Sequence, residues 1–329
     1  MLYPNFLRKN QTIGITAPSA GVGYKLLSYE KSLKTLQKEG YNIVETESVR
    51  NNEIVSTTEE KRAQEFDELV KNKDINMIIC ATGGDFLLEI LPYINLSNIK
   101  ENPKWIMGYS DPTSLLYPIT TKLDIATIYG FNAGSYDQIK IHKSLRNNLE
   151  ILKGNIVPQK SFKYYQKEEN KELDGYNLDE KVYWESINED FDIKGRLIGG
   201  CLDCLKDIIG TPFDNTLHFI EKYKDDGIIW YFDIYELSAE ELYRTLFQMR
   251  KANWFKYIKG IIVGRVAYPK QSYNNFSYQQ ALKRLYQNLP IAFNTDIGHV
   301  PPKMTLINGS IAHIICKNGK GIIKQELKK

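Results

Sequence analysis

Ser110, His299 and a carboxylate at Asp233 or Glu236 are residue types that together could hydrolyse an acyl bond. A serine hydroxyl is a weak nucleophile until a base takes its proton, and the base in turn needs an acid to orient it. The chain order serine, acid, histidine is one of several in which such triads occur. Ser110 lies in K-W-I-M-G-Y-S-D-P-T-S-L-L, residues 104–116, which reads as a short buried strand turning abruptly into a helix. Gly108 loosens the turn, and Pro112 suits a first helical turn, where no N–H is needed. A hydroxyl at such a tip lies near free backbone N–H groups and the positive end of the helix dipole, where oxyanion charge is stabilised. An ordinary helix N-cap would also place Ser or Asp there.

His299 sits in N-T-D-I-G-H-V-P-P-K-M, just past an apolar strand, with Gly298 before it and prolines after. That is a rigid position from which a strand end presents a side chain, although a structural turn histidine is the commoner role. His142, in a connector, His218, in a mixed helical stretch, and His313, in a terminal strand, are set aside. The strand G-I-I-W-Y-F ends at Asp233, and Glu236 follows in the loop D-I-Y-E-L-S. Either acid is in reach of the base, while Glu236 could equally prepare the helix starting near Ser238. Gly83 and Gly84, in A-T-G-G-D, let the backbone approach a ligand. The backbone N–H groups of Gly84 and Asp111 are the expected oxyanion donors.

Bringing these residues together requires strands whose ends converge. Apolar runs at Thr12–Thr16, Tyr41–Glu45, Ile75–Cys80, Trp105–Met107 and Ile125–Tyr129 alternate with helical patterns, including Tyr24–Glu39, a helix to about Asn72 opened by a Ser56/Glu59 capping box, and Phe86–Leu91. Such alternation implies parallel βαβ units, with ligands at the carboxyl ends of the strands. The expected fold is α/β: an N-terminal parallel-sheet domain with helices on both faces, plus a C-terminal α/β domain, the site lying at their interface. The boundaries read as 1–137, a connector 138–194 rich in Lys, Glu, Asn and Tyr, and 195–329. The second part holds a Gly-Gly turn into a helix at G-G-C-L-D, alternating strands and helices, and terminal strands Leu306–Ile315 and Gly321–Gln325. In the connector, Tyr183-Trp184 is an aromatic pair whose ordinary role is local packing; the alternative places Trp184 in the wall of a substrate pocket.

The composition narrows the partners. With 43 basic and 40 acidic residues in 329, the net charge of +3 argues for neither a nucleic-acid nor a membrane surface. The start has no signal-peptide pattern and no uncharged run is long enough to span a bilayer, so the expected location is the cytoplasm. The four cysteines read as reduced residues, and Cys201-x-x-Cys204 lacks the second pair that a zinc site needs. No G-x-G-x-x-G or Walker sequence is present, and G-Y-S-D lacks the second glycine of an α/β-hydrolase elbow. No cofactor or metal is expected.

Taken in order, A-P-S, S-T-T-E-E-K-R-A, A-T-G-G-D, W-I-M-G-Y-S-D-P-T-S-L, G-R-L-I-G-G-C-L-D and D-I-G-H make the chain resemble the LD-carboxypeptidase family of serine peptidases, which includes the microcin C self-immunity peptidases. The resemblance runs from about Thr12 to His299. It implies Ser110 as nucleophile, His299 as base, the acid at the end of the G-I-I-W-Y-F strand, no metal, and a homodimer with serine in the first domain and acid and histidine in the second. The family usually has glutamate where this chain has Asp233, so the shorter side chain needs a shifted backbone or Glu236 in its place. The G-G-C-L-D wording leans towards the microcin-immunity type, with aminoacyl-nucleotide substrates, over muramoyltetrapeptide cleavage in murein recycling. A non-catalytic peptide-binding protein using the same cleft is the competing class.

Overall fold

The apolar runs pair into two sheets in a computed structural model, which describes residues 1–170 and 172–328. The first sheet contains β1 (Thr12–Thr16), β2 (Asn42–Glu45), β3 (Ile75–Cys80), β4 (Trp105–Gly108) and β5 (Thr127–Tyr129), parallel throughout in the order β5-β4-β3-β1-β2. Between them run α1 (Leu26–Lys38), α2 (Glu59–Lys71), α3 (Leu96–Glu101) and α4 (Thr113–Leu123). Strands β3 and β4 are almost wholly buried, which is why they read as continuous apolar runs rather than alternating ones.

The segment expected as a connector is built into the fold. It holds α5 (Lys143–Leu152), β6 (Gln159–Lys160), the ribbon of β7 (Tyr164–Tyr165) with β8 (Glu180–Lys181), and β9 (Glu185–Ser186). Strands β6 and β9 form the two edges of the second sheet. Between them lie β10 (Phe191–Cys201), β11 (Ile228–Asp233), β12 (Ile258–Gly264) and β13 (Ile291–Thr295), mutually parallel, while β15 (Ile311–Lys317) and β16 (Lys320–Glu326) add an antiparallel side. Helices α6 (Leu202–Leu205), α7 (Thr216–Lys222), α8 (Ala239–Lys251) and α9 (Tyr278–Leu285) complete this half.

Several local expectations are corrected. Leu306–Ile315 is not one strand: Gly309, at φ 87°, turns the chain, so that β14 (Leu306–Asn308) pairs antiparallel with β5 of the first sheet while β15 joins the second. Thr58, rather than Ser56, caps α2, because the Ser56 hydroxyl is taken by the Ala17 carbonyl at 2.6 Å. The helix expected at Phe86–Leu91 is a 3₁₀ segment, Leu87–Tyr93, with Pro92 inside it.

Helix α4 positions the site, because it is packed from both halves. Tyr117 stacks on Trp254 with ring centroids 5.5 Å apart and bonds Thr216 at 2.7 Å. At its first turn, Thr113 Oγ1 accepts the Cys201 N–H at 2.9 Å, tying the helix behind Ser110 to the end of β10. One apolar cluster runs through both sheets, with Ile106, Leu115 and Tyr129 against Ile229, Tyr231 and Ala312.

Candidate active site

Ser110 follows β4 by two residues and has φ 70°, a left-handed conformation that costs a non-glycine residue roughly 1–2 kcal/mol. Neighbouring groups hold it there. Asn132 Oδ1 accepts the Tyr109 N–H at 3.0 Å, the Tyr129 hydroxyl accepts the Ser110 N–H at 3.2 Å, and the Ser110 carbonyl accepts the Thr113 N–H at 2.9 Å. A Cβ at position 108 would stand 2.7 Å from Pro112 Cβ, so the turn is as tight as it is because that residue is glycine. The result is a sharp strand-to-helix elbow made without the usual second glycine.

The second sheet brings the other two groups to the serine. His299 Nε2 is 2.9 Å from Ser110 Oγ, and its Nδ1 is 2.8 Å from Asp233 Oδ2. The Nδ1 approach is short but not aligned as a hydrogen bond. Asp233 ends β11 and is wholly buried. Its Oδ1 accepts the His299 backbone N–H at 3.2 Å, and Oδ2 accepts the Tyr129 hydroxyl. Burial pushes the Asp233 carboxyl up, but the His299 ring, then the Tyr129 hydroxyl and the Lys303 ammonium, outweigh it and hold it below the ordinary carboxylate range.

Gly298 explains how an aspartate reaches. A Cβ there would stand 1.9 Å from Asp233 Oδ1, and the residue lies at φ 98°. The His299 loop therefore descends onto the short acid, and a side chain at 298 would push it away.

These groups open on a cleft lined also by Tyr24, Lys25, Gly83, Gly84, Asn132 and Tyr235. Among the described residues, the N–H groups of Gly84 and Asp111 donate to no other protein group. Gly83 packs against the serine itself. The Asp111 side chain is buried and structural, accepting the Ser19 hydroxyl and the Leu87 N–H.

The LD-carboxypeptidase N-terminal domain model matches residues 13–130, and the corresponding C-terminal domain model matches residues 194–314. The chain belongs to the LD-carboxypeptidase family. The microcin C7 self-immunity protein MccF of Escherichia coli is 27% identical over 332 residues, covering 91% of this chain and 89% of that one. A solved structure of MccF in complex with aspartyl sulfamoyl adenosine has a TM-score of 0.83 at 24% identity, covering 99% of each chain. Muramoyltetrapeptide carboxypeptidase from Oxalobacter formigenes has a TM-score of 0.76 at 21% identity, covering 96% of this chain and 99% of that one, and so shares the fold.

In this member of the LD-carboxypeptidase family, the alternative acid and the expected aromatic wall both part company with the geometry. Glu236 is exposed, and its carboxylate lies 3.7 Å from Lys270 Nζ at the protein surface, with Asp233 in the place beside His299. Trp184 does not line the cleft: it is fully buried just before the edge strand β9, where its backbone N–H donates to the Gly319 carbonyl at 3.0 Å and its Nε1 to Asp296 Oδ2 at 2.8 Å. Tyr109, Tyr129, Asn132 and Tyr235 were missed. The Tyr109 and Tyr235 rings pack around the His299 ring at centroid distances of 5.2 and 4.7 Å. The signal for Tyr129 was its place at the end of β5, directly beside Gly108 in register. Cys201 and Cys204 both lie on the cleft, where a hydrogen bond to Cys204, and then burial, push the Cys201 thiol well up. Among the described residues no group of three or more potential metal ligands is gathered. Nor, among those residues, is any helix long and apolar enough to cross a membrane.

Proposed function

We propose that this LD-carboxypeptidase hydrolyses an amide bond in a small peptide-like substrate by a serine mechanism. The observation that carries the reading is the continuous line from Ser110 Oγ and His299 in an open cleft to the buried Asp233 behind them, with contacts of 2.9 and 2.8 Å. Ser110 attacks the carbonyl carbon as His299 Nε2 takes its proton, and Asp233 holds the imidazole tautomer and the charge that forms on it. The oxyanion turns to the Gly84 and Asp111 N–H groups. Collapse expels the amine, protonated by His299, and water then releases the acyl group by the same path reversed.

Aminoacyl-nucleotide conjugates are the preferred substrate class, now on the strength of Tyr24 and Tyr235 in the cleft walls, which offer faces for a flat base, rather than of Trp184. Muramoyl tetrapeptides are the second class, supported by the likeness to a muramoyltetrapeptide carboxypeptidase. We further propose that the enzyme works in the cytoplasm as a homodimer, which light scattering on purified protein checks; a monomer at working concentration overturns the assembly. The deciding experiment assays one preparation on an aminoacyl-sulfamoyl adenosine and on a tetrapeptide ending in D-alanine. Ser110→Ala is expected to lower kcat on the accepted substrate by about a millionfold, the scale for a triad nucleophile. Unchanged turnover in that variant sinks the serine assignment, and binding without turnover or adduct formation with a serine-directed probe favours a pure binding protein.

A further inference from the structure

Two lysines near the nucleophile have no anionic partner. Lys25, at the N-terminal end of α1, lines the cleft with Ser110, and its ammonium meets Thr82 Oγ1 at 3.2 Å and Tyr24, whose ring centroid is 4.9 Å away. Lys303, four residues past His299, is 6% exposed. Its ammonium rests on the rings of Tyr109 and Phe131, 2.7 and 4.7 Å from their centroids. Among the described residues neither forms an ion pair with a carboxylate, although ion pairs are common elsewhere in the molecule. A buried cation without a partner is costly, and a second cation nearby adds to that cost. Burial drives the Lys303 ammonium well below its ordinary range; Lys25 pushes the same way, and only Asp233 opposes it.

The acids of the cleft do not relieve this. Asp203 is committed to the backbone N–H groups of Tyr235 and Glu236 at 2.9 and 3.1 Å, and Asp85 is exposed. The cleft wall that holds Lys25 also presents the neutral polar groups Thr82, Asn132 and Ser135, and among the described residues no carboxylate stands within ion-pair distance of the Lys25 ammonium.

We infer that Lys25, backed by the field of Lys303, is a subsite for an anionic group carried by the substrate beside the scissile amide. The inference rests on the peptidase reading and adds the chemistry of the substrate. In a peptide, that anion is the terminal carboxylate of the departing amino acid. In an aminoacyl-nucleotide conjugate, it is the phosphoryl-type group joined to the departing nitrogen. Both place a negative charge within a few bonds of the nitrogen that leaves.

Titration calorimetry on the Ser110→Ala protein tests this without turnover. The ligands are a peptide ending in D-alanine, the same peptide as its C-terminal amide, and adenosine monophosphate with adenosine as its neutral counterpart. The anionic member of at least one pair is expected to bind about ten- to a hundredfold more tightly, the scale of a charge-assisted contact. The pair that shows the preference identifies the source of the anion. Adding Lys25→Met should shrink that preference to about threefold or less, and Lys25→Arg should restore part of it. Lys303→Met should shrink it less, with the neutral ligand little affected. Equal binding of anionic and neutral members in the parent, or equal losses for both on Lys25→Met in a protein with an unchanged melting profile, overturns the inference. Failure of the wild type to turn over both the peptide ending in D-alanine and an aminoacyl-sulfamoyl adenosine overturns the peptidase reading instead, and the binding ratios still decide the subsite.

Discussion

The turn at Ser110 and the loop at His299 deliver their side chains by opposite means. Ser110 is set by its own neighbours in the chain: a glycine two residues before, a proline two after, and a left-handed φ of 70°. His299 is set by a distant strand, since both its backbone N–H and its ring depend on Asp233 at the end of β11. Ser110 draws its conformation mainly from its own half, through Gly108, Pro112, Asn132 and Tyr129, with a tie to the second half where Cys201 bonds Thr113, whereas His299 is only as well placed as the packing between the halves. Tyr129 joins the two arrangements, because its single hydroxyl accepts from the Ser110 backbone and donates to Asp233.

That contrast can be broken in steps. Asp233→Asn should cost about ten-thousandfold in kcat, as when a triad acid becomes its amide, because the imidazole loses its tautomer while Ser110 stays in place. Its acid stability should change as well. A carboxyl held below its unfolded value of about 3.9 contributes stability that is present above that pH and lost as pH falls through the folded value. Melting temperature should therefore fall more steeply towards low pH in the wild type than in Asp233→Asn; parallel curves would show that Asp233 does not carry this dependence.

Gly298→Ala comes next. The new Cβ meets Asp233 Oδ1, so the His299 loop must lift, and a loss on the order of a hundredfold in kcat is expected, the scale for misplacing a reacting group by about 1 Å. Reaction with a serine-directed probe should drop in step, and full activity would show that the loop is not gauged by that contact. Tyr129→Phe should be milder, about tenfold in kcat with KM little changed, since one hydrogen bond to each partner is lost while the ring keeps its packing. A change confined to KM would remove Tyr129 from the positioning of either group. Glu236→Gln should stay within about twofold by the same kinetics; a loss comparable to that of Asp233→Asn would return the acid role to the loop.

The same division explains what could be read from the sequence. The strand ends carrying Ser110, Asp233 and His299 were legible because each is marked locally, by an apolar run and then turn residues. Not legible were the seating of Gly298 on Asp233, the bridge through Tyr129, and the choice of Asp233 over Glu236, all of which arise between residues far apart in the chain. Trp184 misled because a polar, charged segment hid the fact that two of its short strands, β6 and β9, are edges of a sheet, with the tryptophan just before β9 turned into the core. The break inside Leu306–Ile315 was hidden for a similar reason: Gly309 looks like an ordinary weak point in a strand until two separate sheets claim its flanks.

That break has a bearing on how the chain is made. Until Leu306–Asn308 has left the ribosome, β5 has its outer edge open, with Ile128 on a strand that any other extended segment could join. The half that carries Ser110 therefore stays incomplete until residue 308 has been made, and a fragment ending at residue 137 keeps that edge permanently. Such a fragment is expected to associate through β5 rather than fold as an independent module, even though its own family model recognises it. Insertions or cuts in the segment joining the halves are tolerable only where β14 can still return to its place.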